Sequence, residues 1–96
     1  MYGTVAKMRL KPGMEQKMRE LAGREDFTKI PGLVSTTVYR LDNEPNTLIM
    51  AVVFTDKESY VKNAESPEQN ARYEEFAALL DGPPEWNDGE VLYPEK

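Results

Sequence analysis

Thr47-Leu48-Ile49-Met50-Ala51-Val52-Val53-Phe54-Thr55 is apolar at every interior position, and Asp42-Asn43-Glu44-Pro45-Asn46 precedes it as a turn. A short apolar run between turn signals reads as a strand covered on both sides. Leu48, Met50, Val52 and Phe54 share one face, and Ile49, Ala51 and Val53 share the other. Tyr2 to Lys11 alternates: Tyr2, Thr4, Ala6, Met8 and Leu10 face one way, and Val5, Lys7, Arg9 and Lys11 the other. That is the pattern of a half-buried strand, ended by Pro12-Gly13. A further strand, Leu33 to Leu41, is marked by its Val, Thr and Tyr content after Pro31-Gly32.

Helical spacing fills the gaps. Met14, Met18, Leu21 and Ala22 form an apolar stripe that Gly23 can stop, and the stretch from there to Pro31 reads as irregular. After the long apolar strand, two start signals, Thr55 with Glu58 and Ser66 with Gln69, predict two helices in series, the second with Pro67 in its first turn. Tyr73, Phe76, Ala77 and Leu80 supply the stripe of the longer helix, and Gly82-Pro83-Pro84 closes it. Trp86 to Tyr93 supplies a last short strand before a charged end. The order is βαββαβ, a single α+β domain over residues 1–96 of ferredoxin-like type, with an antiparallel sheet and its helices on one face. The other face of the sheet is then bare, and pairing with a second copy of the chain, a homodimer, would cover it.

Composition removes several kinds of chemistry. The chain has no cysteine and no histidine. It therefore lacks a thiolate nucleophile, a disulfide framework, the commonest neutral-pH base, and the usual ligands of zinc, iron–sulfur clusters and haem iron. No metal and no cofactor is the resulting expectation. The net charge of −5 argues against a nucleic-acid partner, no apolar run is long enough for a membrane, and the absence of cysteine and of an apolar leader places the chain in the cytoplasm. Charge is unevenly spread, eight basic against four acidic residues up to residue 40 and four against thirteen beyond it, which predicts ion pairing between halves of the domain or between subunits.

Leu10-Lys11-Pro12-Gly13, Pro31-Gly32-Leu33 with Val38-Tyr39-Arg40, Phe54-Thr55-Asp56-Lys57-Glu58-Ser59-Tyr60, and Ala64-Glu65-Ser66-Pro67-Glu68 give the chain its likeness to a known family. It resembles the antibiotic biosynthesis monooxygenase-like domains of the dimeric α/β-barrel group over nearly its whole length. The resemblance implies a dimeric barrel and a choice of activities. The haem-degrading branch uses an asparagine on the first strand, a tryptophan on the second helix and a histidine beyond it. Ala6, Asn63 and Tyr73 stand in those places, so none matches, although a tyrosinate such as Tyr73 could in principle hold iron.

The cofactor-free branch fits better, because there the protein binds a small phenolic or aromatic compound, helps it lose a proton and leaves the redox chemistry to substrate and oxygen. Such a site needs apolar walls and a few donors aimed at a developing oxyanion. Asn63 and Arg40 are the candidate donors, Tyr73 is a third candidate catalytic group, and Tyr39, Tyr60 and Trp86 are candidate substrate-binding walls. Each also has a structural reading. Tyr73 can be core with a wet hydroxyl, Asn63 a cap, Arg40 the partner of an acidic neighbour, and Trp86 the anchor of the C-terminal arm. Lys7, Arg9 and Lys11 form a cationic ladder that could take an anionic metabolite or, as the better reading, pair across strands with Asp88 and Glu90. The alternative to an oxygenase is a non-catalytic small-molecule-binding or stress-related dimer of the same architecture.

Overall fold

The computed structural model describes residues 1–93. Its elements are β1 (Tyr2–Arg9), α1 (Glu15–Ala22), α2 (Glu25–Thr28), β2 (Leu33–Arg40), β3 (Thr47–Phe54), α3 (Lys57–Ala64), α4 (Pro67–Ala77) and β4 (Glu85–Glu90). The sheet runs β2-β3-β1-β4 with every neighbouring pair antiparallel. The ferredoxin-like order read from the sequence is present, with one addition: a single helical turn, α2, in the stretch that sequence patterning leaves irregular. Four residues are too few to carry an amphipathic period, so that turn has no signal in the hydrophobic pattern.

The long apolar strand is central, between β2 and β1. In register, Tyr2, Thr4, Ala6 and Met8 stand across from Phe54, Val52, Met50 and Leu48, and this shared face carries the core. Ala6, Met8, Leu10, Met18, Leu48 and Leu80 are buried together, with Met14, Met50, Phe76 and Leu79 packed against them. On the opposite face Val5 and Tyr39 are exposed, at 48% and 59%, and Ile49, Ala51 and Val53 are half-covered.

Caps and turns explain most element ends. Ser66 caps α4 by accepting from the Gln69 N–H at 3.1 Å, with Pro67 in the first turn. At α3 the cap is Asp56, which accepts from the Ser59 N–H at 2.7 Å, one residue later than the Thr55 start signal. Thr55 instead lies beside the Ser59 hydroxyl at 3.4 Å. Hydrogen bonding to Asp56 from the Ser59 backbone N–H, and then from its hydroxyl, holds the Asp56 carboxyl below its ordinary range. Gly32, at φ +82°, turns the chain into β2 where a side chain would collide with Ser59.

β4 begins one residue earlier than the sequence pattern predicts, at Glu85, and ends at Glu90. The register corrects the expected cross-strand pairs. Lys7 faces Glu85 and Val5 faces Asn87 on the outer side, while Asp88 and Glu90 stand opposite Thr4 and Tyr2 on the helix side. The period of two leaves no middle course, because residues an odd number of places apart lie on opposite faces. Asp88 therefore meets α3 and not the cationic ladder. Its carboxylate accepts from the Tyr60 hydroxyl at 2.8 Å.

That contact gives the fold an alkaline limit. Desolvation of the ring, then the hydrogen bond to Asp88 and its charge, push the Tyr60 phenol from its ordinary 10.0 up to about 12. The native state holds this proton more tightly than the unfolded chain. The stabilisation is complete below about pH 10, where an unfolded tyrosine begins to ionise, and is lost as pH rises toward about 12. Urea midpoints measured across this range should fall more steeply for the natural chain than for Tyr60→Phe. Parallel curves would remove Tyr60 from the alkaline transition.

Candidate functional site

The helices do not close fully over the sheet, and the space left is a half-open cavity of about 440 Å³. Its floor is the core face of the sheet: Leu33, Thr36 and Val38 from β2, Met50, Val52 and Phe54 from β3, and Trp86 from β4. Met18 and Ala22 of α1 with Phe27 of α2 form one wall. Phe76 and Tyr73 of α4 form the other, and Asn63, Gln69 and Arg72 give it a polar end. A volume of this size with apolar walls and a few converging polar groups is what small-molecule sites look like. A second depression, about 360 Å³, lies between Lys11, Glu15, Arg19 and Asn46, but it is mainly polar. Its Glu15 is already held by Arg19 and Arg40.

Charge fixes the polar end. Arg72 donates from Nε to Gln69 Oε1 at 3.1 Å and from Nη2 to Asn63 Oδ1 at 3.1 Å, and Asn63 Nδ2 donates to Gln69 Oε1 at 3.2 Å. A guanidinium has donors only, so both amide oxygens must turn toward it and both amide nitrogens away. Asn63 keeps a second Nδ2–H, and its backbone oxygen accepts from the Ser66 hydroxyl at 2.8 Å, which ties the end of α3 to the start of α4. The half-buried Tyr73 ring leans against Trp86, centroids 6.2 Å apart and planes at 47°.

The structure brings Asn63, Tyr73 and Trp86 to this cavity and leaves Arg40, Tyr39 and Tyr60 outside it. Each departure has a plain cause. Tyr39 pairs with Ile49, on the face of the sheet away from the helices. Arg40, at the end of β2, forms an ion pair with Glu15. Tyr60 points from α3 onto Tyr2 and Phe54, with ring centroids 5.2 and 5.5 Å away. Arg72 and Gln69 are cavity residues that sequence reading missed. On a helix their polarity reads as solvent-facing, and only the junction of α3 with α4 turns them inward. Both positions follow Asn63 closely, just past the Ser66-Pro67 start signal, and that proximity was the one available hint.

Among the described residues no group of three or more acidic side chains is placed to hold a metal ion. No helix among them is long and apolar enough to cross a membrane. Ion pairing across the two charge-biased halves is represented by Arg24 with Glu75 at 2.6 Å.

The sequence profile of a family described as antibiotic biosynthesis monooxygenase matches residues 1–78. No curated protein is similar enough to count as a relative. Solved structures share the fold. A conserved protein from Methanosarcina mazei Go1 is 24% identical, with a TM-score of 0.78 over 92% of this chain and 89% of that one. SnoaB from Streptomyces nogalater, a cofactor-independent oxygenase solved as its N63A mutant, is 19% identical, with a TM-score of 0.81 over 98% and 97%. Rv0793 from Mycobacterium tuberculosis is 15% identical, with a TM-score of 0.77 over 99% and 98%.

Proposed function

Because this chain belongs to the antibiotic biosynthesis monooxygenase family, we propose that it is a cytoplasmic, cofactor-independent monooxygenase of a small aromatic or phenolic compound, working in the cavity between sheet and helices. The observation that carries this reading is an aromatic-walled cavity, lined also by Tyr73, whose polar end holds an orientation-locked amide, Asn63. A flat ring system would lie between Trp86, Phe76 and the floor of β2 and β3. Its oxygen would meet the free Nδ2–H of Asn63 and the Tyr73 hydroxyl. Donors fixed before the reaction stabilise charge as it develops without reorganising.

The bound compound loses a proton, and its ring carbon, now electron-rich, gives an electron to O2 and couples with the superoxide formed. The resulting hydroperoxide sheds water, so one oxygen atom ends in a carbonyl and the other in water. The protein contributes binding, orientation and charge stabilisation. The test is oxygen uptake with anthrones and hydroquinones. Consumption faster than in buffer is expected, and no acceleration with any of them would replace the oxygenase by a non-catalytic binding domain.

The same proposal includes a homodimer through the open face of the sheet. Val5, Ile49, Ala51 and Val53 make that face apolar at its centre, a composition that favours a second copy over water. Sedimentation at micromolar concentration should give a dimer, and a stable monomer would refute the pairing.

A further inference from the structure

Among the described residues, Arg72 is the only charged one lining the cavity. It forms no ion pair among the described residues, although Glu68 and Glu75 stand about one helical turn away on either side of it in α4. Glu75 is instead gripped by Arg24, at 2.6 and 3.2 Å. The two acceptors that Arg72 does have, Gln69 Oε1 and Asn63 Oδ1, are neutral. They clamp the guanidinium without cancelling its charge, and the Nη1 group is left for a ligand. A half-buried cation beside apolar walls, held rigid and unneutralised, is a receptor for an anion. Among the described residues no carboxylate lines the same space, and the chain has no imidazole, so they place no ordinary general base there.

We propose that the cavity takes its aromatic ligand as an oxyanion held by Arg72, so that a phenol ionises on binding by releasing its proton to solvent, with no protein base required. This inference rests on the aromatic-cavity reading above and deepens it by naming the charge state of the ligand. Arg72 acts on the ligand directly. Its clamp on Asn63 and Gln69 also sets the side from which the neutral donors approach.

Equilibrium dialysis with four naphthalenes tests this without any oxygenation step. 2-Naphthoate and 2-naphthamide differ in charge at nearly the same shape, and 2-naphthol and 2-methoxynaphthalene differ in the ability to ionise. With the natural chain, naphthoate should bind about tenfold more tightly than naphthamide. Bound naphthol should show, by the long-wavelength absorption of its anion, about a tenfold larger ratio of anion to neutral form than free naphthol at the same pH. Both advantages should disappear in Arg72→Gln, whereas 2-methoxynaphthalene should bind both proteins alike, which also reports that the variant is folded. Arg72→Lys should keep part of each advantage.

Either advantage surviving in Arg72→Gln would overturn the proposal. The ratio of naphthoate to naphthamide affinity in the natural chain depends on no variant's folding, and a ratio of one or below overturns it alone. Binding without charge preference removes this inference and leaves the aromatic cavity standing. Failure of all four compounds to bind removes the aromatic cavity and the inference with it.

Discussion

Asn63→Ala should lower the turnover rate about 100- to 1000-fold, the usual effect of deleting one fixed donor to a developing oxyanion. The reason is positional. Asn63 sits at the last turn of α3, and its amide is turned by Arg72 and Gln69 so that a free N–H remains for the cavity. Alanine removes that donor and leaves Arg72 without one of its acceptors, so affinity for the substrate should change less than the rate. Oxygen uptake measured beside circular dichroism separates loss of chemistry from loss of fold. Tyr60→Phe and Arg40→Ala are the controls, since Tyr60 binds Asp88 and Arg40 binds Glu15, both away from the cavity. Activity in Asn63→Ala within a few-fold of the natural chain, or equal losses in all three variants, would take Asn63 out of the reaction.

Phe54→Ala should cost about 3–5 kcal/mol of stability, the usual range for deleting a buried aromatic ring. Phe54 is 2% exposed, at the end of the central strand, where it stands across from Tyr2 and Leu33 and meets the Tyr60 ring edge to face. It also forms part of the cavity floor. A domain of this size has about 5–15 kcal/mol in total, so the variant should be partly unfolded at moderate temperature. Urea unfolding gives the number directly. Phe54→Leu should recover most of the loss, and a cost below about 1 kcal/mol for the alanine would show that the site repacks freely.

The sequence alone determined the order of the strands and the longer helices, the apolar two-faced centre of the sheet, the Ser66-Pro67 helix start and the kinds of chemistry the chain lacks. These are local or compositional properties. A strand apolar on both faces needs cover on both faces, and a missing histidine is missing in any fold. The family likeness was legible for the same reason, because its turn and strand motifs are contiguous.

Tertiary structure alone decided which side chains share the cavity. Arg40 and Tyr39 are adjacent in sequence, yet β2 sends one to each face of the sheet, and a register set by Glu85 carries Asp88 to Tyr60 and away from Lys7. Arg72 and Gln69 carry no mark that separates them from the other polar residues of α4. Their inward turn depends on the angle between α3 and α4 and on a hydrogen-bonded clamp to Asn63. Convergence of side chains from separate elements is a property of packing, and no spacing along the chain encodes it.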